Sequence, residues 1–267
     1  MMNFFEFYTL GSESFFTYKN FFIRKFIKNF GPLGINAKIR SGHVIQNILR
    51  LNIANESNIQ VLDVGCGVSY IDFWIANRFP GWKILGIDID KDAIIKSQQI
   101  KKRKFVENLD FLKINILNLE IENYFDLVYS MDVLEHIYDD LGALRIIYNA
   151  LKINGNLILH LPLNYKLNKR ILPGYFDYFT HDHVREEYTI DEISKKLDEV
   201  GFRIISSYYS YSGWGELAFE LNYLFWKKPK IRLLFAFFFH LISNLFGYID
   251  IKNKFNSGNG IVMIVKK

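Results

Sequence analysis

The stretch Val61 to Ser69, VLDVGCGVS, holds the residues best spaced for chemistry in this 267-residue chain. Val61, Leu62 and Val64 form the apolar run of a buried parallel strand. Gly65-Cys66-Gly67 ends that run ahead of a helix-compatible stretch, Tyr70 to Phe79. A strand that turns through glycines into a helix N-terminus brings bare backbone N–H groups and a positive dipole end close to a ligand. Asp63 stands at the carboxyl end of that strand, where open α/β sheets bind ligands. The third position of a GxGxxG fingerprint is Tyr70 here, and a carboxylate at Asp63 repels a pyrophosphate, so a dinucleotide is disfavoured. The same carboxylate suits the ammonium group of an amino acid. A second strand, Lys83 to Ile87, ends in Asp88, about twenty residues past the loop and placed to accept from ribose hydroxyls.

An ammonium site and a ribose site without phosphate chemistry describe S-adenosylmethionine (SAM). With LDVGCG, GIDID and DLVYSMDVLEHI in family order, the chain resembles the class I SAM-dependent methyltransferases over roughly Ile59 to Phe202 plus its last residues. That resemblance implies that Asp63, Gly65 and Gly67 hold the methionine portion, with Cys66 as a small filler of the same loop, and that Asp88 holds the ribose. It places Ile89 against the adenine face. Asn115 and Ile116 fall where many members carry an aspartate for the adenine amino group, and the Asn oxygen can still accept. Ser130 and Met131 match the position that lines the methionine chain. Reading Ser130-Met131-Asp132-Val133 rather than (N/D)PP(Y/F), that position disfavours N-methylation of a nucleobase.

Methyl transfer from a sulfonium is an in-line displacement, so the protein must chiefly align donor and acceptor and exclude water. A hydroxyl acceptor also benefits from a base near neutral pKa, which points to histidine. Three are candidates: His136 just past the fourth strand, and His181 and His183 in the loop Leu163–Tyr188 that faces the substrate in this family. Arg185 is the candidate for an anionic substrate group. Thr180-His181-Asp182-His183 resembles a metal-ligand cluster, but no second cluster accompanies it, and no metal is expected.

The elements that must position these residues alternate regularly. Strands at Lys83–Asp88, Leu109–Lys113, Phe125–Ser130, Asn156–Leu161 and Phe202–Ser210 are separated by helices, among them Asp92–Lys102 with Asp90 as N-cap and Asp140–Leu151. Thr189-Ile190-Asp191-Glu192 is a capping box that opens a helix closed by Gly201. The pattern predicts an α/β, doubly wound, parallel sheet, and the resemblance implies the Rossmann-like seven-stranded form, six strands parallel and a C-terminal one (Gly260–Lys266) antiparallel beside strand six. Residues 1–58 read as an N-terminal helical cap, 59–210 as the SAM-binding core, 211–259 as an apolar helical insertion between strands six and seven, and 260–267 as the final strand. The about fifty residues from Tyr211 to Asn259 are too long a connection to be idle.

That insertion carries two apolar segments, Trp214–Trp226 and Leu233–Ile249, around the basic break Lys227-Lys228-Pro229-Lys230. A single membrane span is excluded, because it would strand the last strand across the bilayer from its sheet. The hairpin either roofs the substrate pocket or lies in one leaflet. Tyr18–Phe30 reads as a basic amphipathic helix, and Ala37–Leu51 as a further helix that leads into the first strand. A net charge of +5 gives no reason to expect nucleic acid, and the single cysteine, Cys66, fits a reducing compartment. No signal peptide is read, since Arg24, Lys25 and Lys28 interrupt the apolar residues. The expectation is a cytoplasmic O-methyltransferase with SAM as cofactor, peripheral on the inner membrane face through 214–250 and 18–30. Its acceptor would be a small hydrophobic or lipid-linked molecule, a quinone-type ring or a lipid-linked sugar. The alternatives are a soluble small-molecule methyltransferase and a non-catalytic SAM-binding scaffold; a nicotinamide-dependent oxidoreductase is weakened by the missing third glycine.

Overall fold

The computed structural model describes residues 1–12, 16, 19–32, 34–164, 171–172, 184, 187–227 and 229–267, and the backbone alone for 224–227 and 229–237. Seven strands form one sheet: β1 (Gln60–Val64), β2 (Lys83–Asp88), β3 (Leu109–Lys113), β4 (Phe125–Met131), β5 (Leu151–Pro162), β6 (Arg203–Ser210) and β7 (Gly260–Lys266). Their order is β3-β2-β1-β4-β5-β7-β6, with β7 antiparallel to both β5 and β6 and the other pairs parallel. The order reverses at β1, which has β2 on one side and β4 on the other, so the crevice for a ligand opens at the carboxyl ends of those three strands.

Burial on both faces explains the continuous apolar runs. Val61 joins Leu127, Tyr129 and Ile158 in one core layer, while its neighbour Leu62 joins Val128, Leu157 and Met263 in the other. The first layer is closed by α3 (Ile35–Ile48), α4 (Tyr70–Arg78) and α5 (Lys91–Lys104), the second by α6 (Asp140–Ala150) and α7 (Ile190–Val200). The expected caps are present. Asp90 accepts from the N–H groups of Asp92 and Ala93, and Thr189 and Glu192 form a reciprocal capping box.

One boundary differs from the sequence expectation. Asn154-Gly155 reads as a helix stop, yet α6 ends at Ala150 and β5 begins at Leu151. Leu151 pairs with Phe125 and Asn156 with Leu127, so the intervening residues form an irregularity in β5, with Asn154 in the left-handed region at φ 67°. Gly155 serves that bulge, a signal indistinguishable in sequence from a helix end.

The N-terminal helices α1 (Phe4–Thr9), α2 (Phe21–Phe30) and α3 are joined to the insertion, which folds as α8 (Gly213–Lys227) and α9 (Pro229–Lys252). Lys38 on α3 is buried and donates to the Tyr8 carbonyl (2.6 Å) and to Asn244 Oδ1 of α9 (2.9 Å), and burial holds its ammonium well below its usual pKa. His240 Nε2 donates to the Phe30 carbonyl at 2.9 Å, and desolvation lowers this imidazole to about 4, so it is neutral. Among the described residues no helix is long and apolar enough to cross a membrane.

Asp250, near the end of α9, closes the hairpin. Its carboxylate accepts from the N–H groups of Tyr211 (3.0 Å), Ser212 (2.9 Å) and Gly215 (3.3 Å), from the Ser212 hydroxyl, and from His43 Nε2 on α3 (3.0 Å). Those donors hold Asp250 below the usual carboxylate range in spite of burial. A group with a depressed folded pKa stabilises above its unfolded pKa and loses that contribution as pH falls through the folded one. Asp250→Ala is therefore expected to lower unfolding stability by about 3 kcal/mol in urea denaturation at neutral pH, with a smaller loss at acid pH. A wild-type midpoint would mean that apolar contacts alone hold the hairpin.

Candidate functional site

The bend after β1 is tied to the end of β2. Gly65 and Cys66 both donate to the Ile87 carbonyl (2.8 and 2.9 Å), and Gly67 donates to Asp88 Oδ2 at 2.7 Å. The expectation of bare N–H groups facing a ligand is thus corrected at Gly65, Cys66 and Gly67: the chain itself uses their donors. Both glycines have left-handed backbones, φ 76° and 53°. A Cβ on Gly65 would come within 2.2 Å of Val133, whereas nothing stands within 4 Å of one on Gly67, so that bend is open to a ligand's approach. A loop that spends its donors internally is a poor phosphate cradle and a compatible wall for a nucleoside without phosphates.

Asp88 is half-buried, and its other oxygen accepts from the Asp90 N–H at 2.8 Å. A carboxylate offers about four acceptor sites, which leaves lone pairs for ribose hydroxyls. Ile89 beside it is 68% exposed, an apolar face without cover. Asn115 caps the short turn Ile116–Asn118, its Oδ1 accepting from the Leu117 N–H at 3.0 Å; Ile116 is buried beneath. Cys66 is buried, and desolvation with nearby carboxylates pushes its thiol far up, so it is no nucleophile.

Asp63 is fully buried under the bend, where it meets Asp72 of α4. Ser69 donates to Asp63 Oδ2 at 3.4 Å and the Tyr129 hydroxyl donates to Asp72 Oδ1. No donor among the described residues reaches Asp63 Oδ1 or Asp72 Oδ2. Burial, first, and the neighbouring carboxylate, second, raise Asp63 well above the ordinary range, and burial raises Asp72 to about 6. The two carboxyls therefore share a proton, and its loss leaves a buried charge that favours a cation, which fits the ammonium of an amino acid. Because Asp63 is sealed, that ammonium would meet it through an intervening group rather than by open contact.

At the end of β4, Ser130 turns its hydroxyl to the Val64 carbonyl (3.0 Å) and Met131 is half-buried with its sulfur 3.9 Å from Ser41. Sequence reasoning passed over the next residue. Asp132 holds a left-handed backbone, φ 52°, and accepts from Arg40 of α3 and from His160 Nδ1 of β5 (2.6 Å). His160 Nε2 in turn accepts from the Ser210 hydroxyl of β6 at 2.9 Å. Burial lowers the His160 pKa, so it is neutral, while Arg40 and His160 outweigh burial and hold Asp132 well below the carboxylate range. Arg40 is half-buried, and its N–H groups beyond the one on Asp132 have no acceptor among the described residues. A histidine inside the apolar run Leu157–Leu161 was the available signal, since a polar group in a buried strand requires a partner.

His136 lies in a short turn after β4 with its side chain 41% exposed and Nε2 3.9 Å from Glu135, beyond hydrogen-bond distance. His181, His183 and Arg185 fall outside the described residues. Among the described residues no three His, Cys, Asp or Glu side chains gather as a metal site. A cleft of about 820 Å³ lined by Asn58, Trp82, Lys83 and Asn108 sits at the amino ends of β1 to β3, the edge opposite to this crevice.

A methyltransferase-domain family matches residues 55–200, just over half of the chain. The malonyl-[acyl-carrier protein] O-methyltransferase of Bacillus anthracis is 27% identical over 123 residues, 46% of this chain and 45% of that protein. The ubiquinone biosynthesis O-methyltransferase of Rickettsia typhi is 29% identical over 130 residues, 49% of this chain and 51% of that one. The chain thus spans about half the length of the curated relatives it matches. Phosphoethanolamine N-methyltransferase 2 of Haemonchus contortus, solved with SAM, superposes with a TM-score of 0.60 at 16% identity over 91% of this chain and 59% of that one.

The carboxyl pair has a measurable consequence. Raised pKa values make Asp63 and Asp72 favour the fold at low pH and oppose it as pH rises through the folded values, one of them about 6. A cationic ligand needs the deprotonated form. SAM affinity is therefore expected to rise with pH by up to about tenfold per unit as the raised Asp63 carboxyl loses its proton, with proton release seen as a buffer-dependent enthalpy in calorimetry. Asp63→Asn should weaken binding and flatten the profile; a flat wild-type profile would remove the pair from the cofactor site.

Proposed function

The chain belongs to this methyltransferase-domain family and has the class I SAM-dependent fold, and from that premise we propose that it transfers a methyl group to an oxygen of a small acceptor. The observation that carries this reading is the crevice itself: an open glycine bend, the Asp88 carboxylate and an incompletely paired Asp63 converge at the carboxyl ends of β1, β2 and β4. SAM supplies a methyl group activated on a sulfonium. Asp88 holds its ribose hydroxyls, Ile89 and Ile116 flank its adenine, Asn115 meets the adenine edge, and Met131 lines the methionine chain. Arg40, oriented by Asp132, receives the methionine carboxylate with the N–H groups it has to spare. Ser130 acts indirectly by fixing the end of β1. The two O-methyltransferase relatives favour an oxygen acceptor.

The protein's task is alignment at near-attack distance with water excluded. His136 is the base within the described residues, and His181 and His183 are its rivals, with Arg185 as receiver of an anionic acceptor group. The finer reading is a hydrophobic or lipid-linked acceptor, a quinone-type ring or a lipid-linked sugar, met in the cytoplasm at the inner membrane face through residues 18–30 and 214–250.

A second reading has its own observation. Buried Glu220 of α8 accepts from the N–H groups of Ile171 (2.9 Å) and Leu172 (2.5 Å), so the insertion grips the loop after β5 and favours a pocket roof over a soluble acceptor. Incubation with methyl-labelled SAM and separated lipid and polar extracts decides between the two. Label in the lipid fraction supports the first, label in the polar fraction supports the second, and SAM binding without label in either supports a non-catalytic scaffold. With the true acceptor, His136→Ala is expected to lower kcat about a hundredfold at unchanged SAM affinity; unchanged turnover ends its role as base.

A further inference from the structure

The first turn of α2 projects from the protein. Phe21, Phe22 and Ile23 are 70%, 78% and 45% exposed. Successive helical residues step about 100° around the axis, so three in a row cannot share one outward face; the turn itself stands clear. Its backbone is already satisfied, since Asn20 Oδ1 accepts from the Phe22 and Ile23 N–H groups at 2.9 and 3.1 Å. The other end is anchored. Ile27 is buried, the Phe26 ring lies 5.7 Å from that of His240 on α9, and the Gly31 N–H donates to the Ile27 carbonyl at 2.8 Å.

The surroundings are basic. Lys19, Arg24, Lys25 and Lys28 are exposed, and no acidic residue stands between Glu13 and Glu56 in sequence. On α9, the helix that α2 docks against, Phe238, Leu241 and Leu245 are also exposed at the i, i+3, i+7 spacing of a single stripe. Scattered exposed apolar residues are ordinary on any protein. A projecting pair of phenylalanines flanked in sequence by exposed cations is a different feature, because the two parts match the two layers of an anionic bilayer: acyl chains for the rings and phosphates for the cationic groups. A convex tip also suits a deformable surface better than a protein groove.

We propose that the first turn of α2 is a membrane anchor, with Phe21, Phe22 and Ile23 entering the headgroup–acyl boundary of an anionic bilayer while Lys19, Arg24 and Lys25 lie at the lipid phosphates. This narrows the lipid-facing part of the function proposed above to one element and rests on that reading for its purpose only.

The test is flotation of the full chain with phosphatidylcholine vesicles, with and without phosphatidylglycerol, alongside calorimetry of SAM binding. The wild type is expected to float with the anionic vesicles. Phe21→Ser with Phe22→Ser should reduce its partitioning about tenfold or more, and Lys19→Glu with Lys25→Glu should erase the preference for phosphatidylglycerol, all variants keeping wild-type SAM affinity. Absent flotation with SAM binding intact overturns the anchor and spares the proposed enzyme. So do equal partitioning of all variants and a wild-type dimer in vesicle-free solution that the Phe21→Ser, Phe22→Ser variant dissolves into monomers. Flotation by a wild type that binds no SAM overturns the enzyme and leaves the anchor standing.

Discussion

A pair of carboxyl groups sealed beneath a glycine bend is the constraint on which the site depends. The bend closes because Gly65, Cys66 and Gly67 donate to Ile87 and Asp88, which are themselves the end of the neighbouring strand. Closing it buries Asp63 against Asp72 and leaves one oxygen of each without a donor. Two carboxyl groups in that position cannot both ionise cheaply, and the Tyr129 hydroxyl and Ser69 relieve only one side of each. The same closure that removes phosphate-binding donors creates a demand for positive charge, which a proton meets until a cation replaces it. One arrangement thus discourages a dinucleotide and favours a nucleoside that carries an amino acid on a sulfonium.

Around that constraint the chain wraps its remotest parts into one layer. Lys38 meets Asn244, His43 meets Asp250, and Arg40 meets Asp132, so a single helix, α3, is fastened to the insertion by two of its polar residues and to the end of β4 by a third. These are costly groups to bury, and each is tolerable because its partner is fixed in place. The outcome is a mechanical link from the insertion, through α3, to the strand end beside the cofactor crevice. Glu220 extends the link to the loop after β5.

Much of this was readable in advance where the signal was local. Strand and helix alternation, the Asp90 cap and the Thr189–Glu192 box depend on neighbours within a few residues, and the parallel sheet followed from them, while its antiparallel last strand followed from the family resemblance. What could not be read depended on distant partners. Nothing near Asp132 in sequence announces Arg40, His160 or Ser210, and nothing near Asp72 announces Tyr129. The start of β5 was misplaced because Asn154-Gly155 serves a bulge with the same residues that end a helix. The donors of the bend could not be counted as spent without seeing Ile87 and Asp88 beside them. His181, His183 and Arg185 stay as sequence-based candidates.

Calorimetric titration of the purified chain with SAM and, separately, with NAD and ADP tests the central claim most directly. A crevice with its loop donors spent and its buried carboxylate short of a partner predicts binding of SAM and no measurable binding of either phosphate-bearing nucleotide. Binding of NAD or ADP with no affinity for SAM would contradict it.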